Sequence, residues 1–587
     1  MAKSVTVIGA GPAGLTAAYE LVRQGVRPLV LDKGDRVGGI ARTECHDGYR
    51  FDIGGHRFFT KDREVDKLWH EMLGDDFLVV KRLSRIAYRG RFFDYPLDVT
   101  TTLTTLGVLE SARILASYLQ AQMRPYPQED TFEEWITNRF GQRLYEVFFK
   151  TYTEKVWGIP CSEIRSDWAA QRIKGLSLRT AVLNALLGND DTKSLIDQFH
   201  YPALGPGMMW EGFKKTIEDG GGEILLNTEA ISVVRSDRRI EALIAQTDQR
   251  RIELAGGHVI SSMPLPDLVA RLDPPAPAEV SAAAAKLRYR SFLIVGLIVD
   301  RRDLFPDNWI YLHSPEVKAG RIQNIKNWSP AMVPDPDTTS LGVEYFCDEG
   351  DATWSMADAE LIALASEELA VLGLAEPRDV LEGVVFRQPK AYPVYDGTYQ
   401  KQRRVIKDFL GTLDNLQTIG RNGTHRYNNM DHSMRTGLLA ARNVLGATHD
   451  VWEVNDEETY LETASLRRTE ESVRDEILSQ ALARIDPLAL GVATGMATGL
   501  ALSLATLWLI LTGDASGGPN LGLLSQYFPG YSATPSGVVI GFGYAAICGF
   551  LFGWSFANLR NLLLLLYIYG LERWAEWRSM REVLDRS

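Results

Sequence analysis

The sequence has few cysteines and no run of basic residues. Its four cysteines are far apart, and none has CxxC or Cys/His spacing: Cys45, Cys161, Cys347 and Cys548. This distribution argues against a disulfide framework and a zinc site, so no metal is expected and the thiols are predicted to be reduced and cytosolic. The formal net charge is −12, and Lys and Arg form no long cluster, which argues against nucleic acid as a partner.

No signal peptide precedes the first apolar strand, which begins at Val5, and we therefore expect a cytoplasmic N-terminus. The chain has 587 residues, more than one ordinary core holds, so two or more domains are predicted. Hydrophobic residues make up 45% and charged residues 24% of the chain, which is the balance of a folded globular protein.

Charge is missing from two stretches near the C-terminus. Residues 487–513 and 515–559 contain no charged residue, and the second stretch is continuously apolar from about Val538 to Ala557. A helix needs about 20 apolar residues to cross a bilayer, so each stretch predicts a transmembrane helix; two buried core helices are the alternative. Small residues at four-residue spacing favour close packing of the two as a hairpin: Gly491, Gly495, Gly499, Gly541, Ala545, Gly549 and Gly553.

The flanks of these stretches predict their orientation. Arg484 precedes the first stretch, only Asp514 lies between the two, and basic residues follow the second: Arg560, Arg573, Arg578 and Arg581. Because positive flanks stay in the cytoplasm, we expect a multi-pass protein of the inner (cytoplasmic) membrane with its N-terminal domains in the cytoplasm. Aromatic residues predict a final segment at the bilayer surface: Tyr567, Tyr569, Trp574 and Trp577.

A glycine motif opens the N-terminal part. Gly9, Gly11 and Gly14 follow the first strand in GxGxxG spacing, and a helical pattern begins there. The first glycine permits a tight turn, the second lets a pyrophosphate approach the backbone, and the helix N-terminus favours the anion. Asp32 ends the next strand, where a carboxylate can bind ribose hydroxyls. Together these features predict a dinucleotide site.

Two further segments distinguish FAD from NAD. Gly38-Gly39, with Arg42, follows the second strand, and a strand–glycine pattern returns late in the chain at Gly420-Arg421. The first pair resembles the second flavin motif of the amine-oxidase and UDP-galactopyranose-mutase group of flavoproteins, and the late pair resembles that group's C-terminal flavin contact. The resemblance implies bound FAD, with Met430 also among its contacts.

Several segments resemble UDP-galactopyranose mutases in particular, and they occur in that family's order. The most specific is residues 152–158, which read Y-T-E-K-V-W-G against the mutases' Y-T-E-K-x-W-G. The others resemble the family's G-x-H-x-F, Y-R-S, R-I, Y-P-V and final G-R segments, at residues 54–58, 289–291, 321–322, 392–394 and 420–430. The similarity covers about residues 1–445, and the apolar C-terminal part has no counterpart in the soluble mutases.

The resemblance implies roles for these residues. Arg321, Tyr392 and Tyr427 would hold the substrate diphosphate, and His56 would lie near the flavin ring; these four are the expected catalytic residues. Trp157 would face the sugar. The remaining expected substrate contacts, which include the family's uridine site, are Phe148, Phe149, Tyr152, Thr153, Arg290 and Asn429.

Several of these residues also have a structural interpretation. Phe148 and Phe149 alone would suit a helix core, His56 a structural hydrogen bond, and Arg290 a support of the sheet. Two departures from the family pattern concern the substrate: Asn429 replaces an acidic residue, and the expected basic residue near 173–176 has only Lys174 or Arg179 as replacement. UDP-galactose itself is therefore left open as the substrate.

The predicted fold class is α/β: a Rossmann-type FAD-binding domain with a helical insertion and a substrate-binding β-sheet, followed by two transmembrane helices. The FAD-binding domain is expected in three parts, at residues 1–98, 201–272 and 405–450. The helical substrate domain, substrate-binding sheet domain, linker and membrane part are expected at 99–200, 273–404, 451–485 and 486–587.

Local patterns predict the main elements within these domains. Helices are expected at residues 13–24, 100–181 and 434–444, and a hairpin is expected at 87–93. Strands are expected at residues 5–8, 28–31, 221–226, 259–262, 293–299, 341–347 and 418–420.

The predicted function is that of a sugar ring mutase in cell-envelope glycan synthesis. The resemblance implies that reduced FAD attacks the sugar C1 through N5 and is regenerated, without net redox change. The expected partners are a sugar nucleotide or polyprenyl-phosphate sugar, the lipid bilayer, and NADH, NADPH or another reductase as electron source. A homo-oligomer is a further expectation.

Two other functions stay open. A membrane-bound FAD-dependent oxidase or desaturase of a lipid, carotenoid or porphyrin shares the first flavin motifs. Arg321, Tyr392 and Tyr427 suit a diphosphate better than a hydrocarbon, however, because they offer charge and hydrogen-bond donors. A non-catalytic membrane scaffold that keeps FAD for stability is the third interpretation.

Overall fold

A computed structural model of the chain describes residues 4–97, 99–166, 198–455, 486–512 and 522–584. The chain divides into two compact units, residues 1–464 and 465–587. The first unit carries every residue expected to bind cofactor or substrate, and the second carries the two apolar stretches.

A five-stranded parallel sheet forms part of the first unit. The central strand, Val5–Ile8, is short, apolar and buried at every position, as expected for a parallel strand that is covered on both faces. The order across the sheet is Leu416–Thr418, His258–Ser261, Val5–Ile8, Pro28–Leu31 and Glu223–Leu225. Strands from distant parts of the chain therefore flank the N-terminal strand.

Four helices share an apolar core with this sheet: Pro12–Arg23, Arg63–Leu73, Gly207–Asp219 and Met430–Val444. The last of them begins one turn earlier than the sequence predicts. The first and last helices approach closely at Gly437, where a Cβ would overlap the carbonyl oxygen of Ala13. This contact brings the amino end of the first helix next to the late glycine turn.

A seven-stranded sheet forms the second layer of the unit. Its strands lie in the order Val380–Pro393, Tyr289–Val299, Thr339–Cys347, Arg321–Asn324, Trp309–Leu312, Ser84–Tyr88 and Arg91–Asp94. The last two strands are the predicted hairpin. It joins this sheet because residues 84–87 pair in parallel with residues 309–312, a long-range pairing that no local pattern revealed.

A run of helices precedes the undescribed stretch 167–197. The helices are Val99–Leu106, Val108–Met123, Phe132–Phe140, Gln142–Tyr145 and Thr151–Trp157. The described part of the predicted 100–181 helical region is thus broken into short helices. Residues 146–150 form a π-helical turn, which widens the helix where Phe148 and Phe149 lie; such turns are frequent at functional sites.

Smaller elements complete the first unit. A four-stranded sheet contains Glu229–Arg235, Ile240–Gln246, Arg251–Ala255 and Leu272–Asp273. Two-stranded sheets pair Thr43–His46 with Tyr49–Asp52 and Phe77–Lys81 with Gln198–Pro202. The other α-helices in the described part of this unit are Leu265–Ala270, Ala278–Lys286, Asp358–Val371, Tyr399–Leu410 and Gly420–Gly423.

The second unit contains two long helices, Pro487–Thr512 and Pro535–Leu584. Residues 487–511 and 535–562 are long and apolar enough to cross a membrane, and only 17% and 22% of their most apolar windows are buried. That low burial differs from the alternative of two buried core helices. The second helix continues to Leu584 as one element, and the side chains of the predicted interfacial segment lie outside the described residues, as does most of the 451–485 linker.

The two long helices pack through small residues and threonine hydroxyls. A Cβ at Gly495 would lie 2.6 Å from the carbonyl oxygen of Ala546. The Thr494 and Thr498 hydroxyls donate across the pair to the carbonyls of Gly549 at 2.7 Å and Ala545 at 2.8 Å. The predicted small-residue rows therefore form the helix–helix contact.

Candidate active site

The first glycine turn closes on the carboxylate of Asp32. Gly9 has a φ of 102°, and its N–H donates to the carbonyl of Leu31 at 2.7 Å. One Asp32 oxygen accepts the N–H of Ala10 at 2.6 Å, and the other accepts that of Gly34 at 2.7 Å. Each carboxylate oxygen keeps a second lone pair, which a ribose hydroxyl could use.

Two more glycine segments meet this turn. A Cβ at Gly39 would lie 3.1 Å from the Cα of Gly11. Gly420 has a φ of 76°, and a Cβ there would lie 2.9 Å from that of Ala13. Gly11, Gly39 and Gly420 line one cavity together with Gly9 and Asp32. The three segments thus form a cradle of bare backbone, which side chains at these positions would crowd.

Gly14 and Gly38 lie behind this cradle and not on the cavity wall. A Cβ at Gly14 would overlap the carbonyl oxygen of Gly9, so this glycine permits the helix to pack on the turn. Gly38 has a φ of 104°, and its N–H donates to the carbonyl of Ala10 at 2.8 Å. Both expected cofactor-binding glycines therefore shape the turns and do not face the cavity.

The cradle has the features that the pyrophosphate of FAD requires. Helix Pro12–Arg23 begins in it, and a helix amino end supplies N–H groups and partial positive charge. Helix Met430–Val444 also begins at the cavity, where Asn429 and Met430 line the wall. The positions that must be free of side chains for a bound dinucleotide are glycines, so the residues fit FAD.

Two arginines expected at the cofactor hold the cavity wall together. Arg42 donates through Nη1 to the Gly39 carbonyl at 2.8 Å and to Gln388 Oε1 at 2.7 Å. Arg421 donates through Nε to the Asn428 carbonyl at 2.9 Å. Both side chains line the cavity, and their direct contact with FAD stays a prediction.

The cavity has a volume of about 1070 Å³. It runs from Asp32, past the glycine cradle and His56, to residues of the second sheet and the helical region. Pockets for one small ligand usually measure roughly 300–1,000 Å³. The volume and the length of wall therefore suit FAD together with a substrate.

Arg321 lies on the cavity wall in a buried ion pair. Its strand neighbour Glu344 is fully buried, and the Arg321 Nη2 lies 2.7 Å from the Glu344 carboxylate. Gln323 donates to the other carboxylate oxygen at 2.5 Å. Burial alone lowers the pKa of Arg321, but the Glu344 carboxylate holds it well above the ordinary value. The guanidinium is therefore a fixed cation. Glu344 was missed in the sequence, although a lone carboxylate in the apolar strand 339–347 was a signal.

Two of the expected phenols form a stack on the same cavity wall, next to the Arg421 guanidinium. The rings of Tyr392 and Tyr427 have centroids 5.6 Å apart and planes 17° apart. The Arg421 guanidinium lies 4.7 Å from the Tyr427 ring centroid and 5.6 Å from that of Tyr392. Burial raises the pKa of Tyr392, so at neutral pH its hydroxyl is a donor without charge.

His56 lies in the cavity wall as a neutral imidazole. Its Nε2 is 2.8 Å from the carbonyl oxygen of Ile53, which can only accept, so Nε2 carries the proton. Burial, with smaller contributions from Arg421 and Arg321, lowers the pKa of His56 to about 4. The ring has no charge at neutral pH, and its Nδ1 is the side that can accept a hydrogen bond.

Tyr152 brings a second histidine to the cavity. The rings of Tyr152 and His313 stack with centroids 4.9 Å apart, and both residues line the cavity. Burial lowers the pKa of His313 to about 3. Among the described residues no group hydrogen-bonds to its buried Nδ1. His313 follows a strand and belongs to no motif, which is why the sequence did not reveal it.

The helical region supplies the aromatic end of the cavity wall. Phe148, Phe149, Thr153 and Trp157 all line it. Phe148 is 2% exposed and also packs in the core of the helical region. The structure therefore brings together most of the expected substrate residues, and the core interpretation of Phe148 holds beside its place on the wall.

Arg290 does not lie on the cavity wall, contrary to its expected substrate role. Its Nη1 is 2.6 Å from the carboxylate of Asp348, and it donates to the carbonyls of Lys155 and Val156 at 3.4 Å. A buried guanidinium with these partners joins the sheet to the end of the helix at Trp157. The structural interpretation of Arg290 is the correct one here. Lys174 and Arg179 lie outside the described residues.

Comparisons with known proteins agree with this architecture. The sequence family described as flavin containing amine oxidoreductase matches residues 12–445. Coproporphyrinogen III oxidase from Mycobacterium leprae (strain TN) is 27% identical over 388 residues, 63% of this chain and 83% of that protein. A probable UDP-galactopyranose mutase from Klebsiella pneumoniae is 30% identical over 168 residues, 28% of this chain and 43% of that protein.

A solved structure gives the same result for the fold. The crystal structure of a reduced UDP-galactopyranose mutase superposes with a TM-score of 0.69 and 23% identity, over 77% of this chain and 98% of that chain. The predicted α/β flavoprotein fold, the family resemblance and FAD as the cofactor are thereby confirmed. This chain belongs to the flavin containing amine oxidoreductase family.

Proposed function

We propose that this chain is a FAD-dependent mutase that interconverts the pyranose and furanose forms of a phosphate-linked sugar in cell-envelope glycan synthesis. The carrier is either a nucleoside diphosphate or a polyprenyl phosphate. The observation that carries the proposal is the fixed Arg321 cation on the wall of the flavin cavity, which the stacked Tyr392 and Tyr427 also line. An oxidase of a hydrocarbon has no need of such a group.

The proposed reaction balances without a redox partner. The C1–O bond to the carrier phosphate breaks and re-forms, and the C4 hydroxyl exchanges with the C5 hydroxyl as the ring oxygen. When bound, reduced FAD supplies the nucleophile for C1 at its N5 and is regenerated in each turnover. NADH, NADPH or another reductase is needed only to keep the flavin reduced.

The residues of this chain would act on the carrier phosphate. As the C1–O bond breaks, negative charge grows on the leaving phosphate, and Arg321 offers a guanidinium fork to it. Because Glu344 already holds the guanidinium, little side-chain freedom is lost when substrate binds. Tyr392 and Tyr427 would donate hydroxyl hydrogen bonds to the same oxygens.

Other wall residues would position the sugar. Trp157 would offer a ring face to it, and Tyr152, held by the stacked His313 ring, would offer its hydroxyl on the same cavity wall. The neutral His56 would act as a hydrogen-bond acceptor and not as a general acid at neutral pH. The apolar residues of the helical region would exclude water from the reacting carbon.

A second candidate is a flavin oxidase. Its support is the similarity to coproporphyrinogen III oxidase, which spans 83% of that protein. In that case oxidised FAD would accept electrons from the substrate, and the Arg321–Glu344 pair would bind a substrate carboxylate or be structural. The two functions differ in the flavin state that turns over.

The deciding experiment compares flavin states. The full FAD-containing chain, reduced with dithionite, is incubated with a panel of nucleotide-linked and polyprenyl-phosphate-linked pyranoses and furanoses, and ring isomers are separated by chromatography. We expect turnover by reduced enzyme only, with many turnovers per reducing equivalent. Stoichiometric reduction of oxidised FAD by a porphyrinogen or a polyene, without sugar isomerisation, would establish the oxidase instead.

We also propose that the second unit anchors the enzyme in the cytoplasmic membrane, with the first unit in the cytoplasm. Two apolar spans and the basic residues after the second span, such as Arg560, support this orientation. We also propose that the first unit divides into domains at residues 98, 200, 272 and 404. In that division, segments 99–200 and 273–404 would bind the substrate, and the other segments would bind FAD.

A further inference from the structure

One end of the cavity is an apolar arm inside the helical region. Six side chains of its wall are at most 8% exposed: Ile86, Ile114, Phe132, Phe140, Leu144 and Phe148. They belong to the apolar core of the helical region and yet border the same cavity that Arg321 lines. A cavity therefore enters what would otherwise be a closed helical core.

The described wall of the arm is mainly apolar and carries no charge. Among the described residues from 84 to 166, no charged or amide side chain borders the cavity; the polar ones are Tyr95, Thr102, Tyr152, Thr153 and Trp157. Nucleobases carry several donors and acceptors, which must find partners when buried. A hydrocarbon chain needs none, and apolar surface of this kind favours its burial.

The arm begins close to the proposed phosphate site. The Tyr152 ring packs edge-on against that of Tyr311, with centroids 5.4 Å apart, and Tyr311 pairs with Arg321 on the neighbouring strand. Phe148 lies one helical turn before Tyr152 at the π-helical segment. A ligand with its phosphate on Arg321 can thus pass Tyr152 and place the next part of the molecule against Phe148. The chemistry of the wall changes from cationic to apolar along that path.

The rest of the chain agrees with a lipid substrate. Two helices are long and apolar enough to cross a membrane, and an enzyme of a freely soluble sugar nucleotide has no need of them. We infer that the apolar arm binds the first isoprene units of a polyprenyl-phosphate sugar, so that this carrier, and not a nucleoside diphosphate, is the substrate class. This inference rests on the proposed mutase function.

The test measures binding of lipid phosphates that carry no sugar. The full FAD-containing chain in nanodiscs is titrated with dimethylallyl, geranyl and farnesyl monophosphate and, separately, with UDP. We expect the Kd to fall at least about tenfold from the shortest to the longest lipid phosphate, since one buried methylene is worth about fourfold. UDP should bind weakly and without dependence on the arm.

Neighbouring residues of one helix give a matched pair of variants. Ile114 is 1% exposed and borders the arm, whereas Leu115 is 54% exposed on the outside of the same helix. Ile114→Trp should abolish the gain in affinity with chain length, and Leu115→Trp should keep it, which also corrects for partition of the lipid into the nanodisc. The flavin absorbance shows that each variant is folded. The chain-length dependence of the Kd in the wild type tests the inference even if a variant does not fold.

The outcomes separate this inference from the proposed function. A Kd independent of chain length in the wild type, or UDP binding that Ile114→Trp weakens, would overturn the lipid assignment and leave a mutase with a nucleotide substrate. Chain-length-dependent binding that Ile114→Trp removes supports the arm as a lipid site. If the reduced enzyme then isomerises no polyprenyl-linked sugar, the mutase function fails, and with it the assignment of the carrier.

Discussion

At the scale of single residues, the ion pair of Arg321 and Glu344 holds a cation in position for an anionic ligand. They face each other across neighbouring strands, and the carboxylate is fully buried while the guanidinium is 16% exposed. The pair satisfies the carboxylate, and the open side of the guanidinium borders the cavity. A cation that is already held needs little reorganisation when an anion arrives.

Replacing Arg321 should therefore act on substrate and not on cofactor. We expect Arg321→Ala to lower kcat/KM for a phosphate-linked sugar about ten- to a hundredfold, the equivalent of about 1.5–3 kcal/mol for a charged hydrogen bond. Arg321→Lys, the matched control, should lose less because the charge remains. Tyr392→Phe and Tyr427→Phe should each cost less than Arg321→Ala. FAD content should stay normal; an unchanged kcat/KM would remove Arg321 from the site.

A second buried carboxyl predicts a pH effect on stability. Burial raises the pKa of Asp52 to about 7, whereas an unfolded Asp has a pKa of about 3.9. Between these values the folded state binds a proton that the unfolded chain does not, so this contribution is complete below about pH 4 and is lost as the pH rises through 7. The hydroxyls of Thr43 and Tyr201 donate to the carboxyl.

Asp52→Asn should remove that dependence, because the amide cannot ionise. Relative to the wild type, its free energy of unfolding should increase between pH 5 and pH 8, on the order of a few kcal/mol. Urea unfolding of both proteins across this range gives the difference directly. Parallel curves for the two proteins would show that Asp52 does not titrate in the folded state.

At the scale of elements, two glycines of the same motif have different roles: Gly11 leaves room for FAD, and Gly14 lets the helix pack on the turn. The first added carbon at Gly11 meets nothing closer than the Gly39 Cα at 3.8 Å, whereas at Gly14 it overlaps the Gly9 carbonyl oxygen. Gly11→Val should thus raise the Kd of FAD at least about tenfold, or 1.4 kcal/mol, with little effect on the apoprotein. Gly14→Ala should lower the apoprotein's free energy of unfolding by about 1–3 kcal/mol. Flavin titration measures the Kd of FAD, and urea unfolding measures the free energy of unfolding of the apoprotein. If both variants change both quantities to the same extent, the two glycines do not have separate roles.

The two long helices allow a comparable pair of substitutions. A Cβ at Gly495 lies 2.6 Å from the Ala546 carbonyl oxygen, but at Gly543 it meets nothing within 4 Å. Gly495→Ile should separate the helices and speed amide hydrogen exchange at their contact in nanodiscs, because small residues permit the close approach. Gly543→Ile is the control. Similar exchange in both variants would mean that the helices do not pack on this face in lipid.

At the scale of the whole molecule, the flavin fold and the apolar helices should be separable. All residues expected to bind the cofactor precede Gly446, and the apolar helices begin at Pro487. The full chain should stay in membranes after a carbonate wash, because transmembrane helices resist it. A chain that ends at Ala483 should become soluble or peripheral and retain FAD. If the full chain washes off, the proposed anchoring is wrong. If the shortened chain is colourless, the flavin fold depends on the apolar helices.

What the sequence revealed depends on how local its physical cause is. The turn at Gly9 and the carboxylate of Asp32 follow from a few consecutive residues, so a motif reports them. The family resemblance brought in Arg321, Tyr392 and Tyr427. The sequence did not reveal the Arg290–Asp348 ion pair, the pairing of strand Ser84–Tyr88 with Trp309–Leu312, or the apolar arm of the cavity. These features depend on how residues that are distant in sequence come together.

The order of strands in the parallel sheet determines how late in synthesis the sheet can be completed. Val5–Ile8 leaves the ribosome first, but its neighbour His258–Ser261 and the edge strand Leu416–Thr418 come hundreds of residues later. At about 5–20 residues per second, the first strand waits on the order of a minute for the last. Until His258–Ser261 emerges, one edge of the first strand stays unpaired, and until Leu416–Thr418 emerges, one edge of His258–Ser261 does. The nascent sheet therefore presents an open edge to other chains for most of synthesis. Leu416–Thr418 completes this sheet only shortly before the apolar helices, which begin at Pro487, emerge, so the proposed insertion into the membrane would come last.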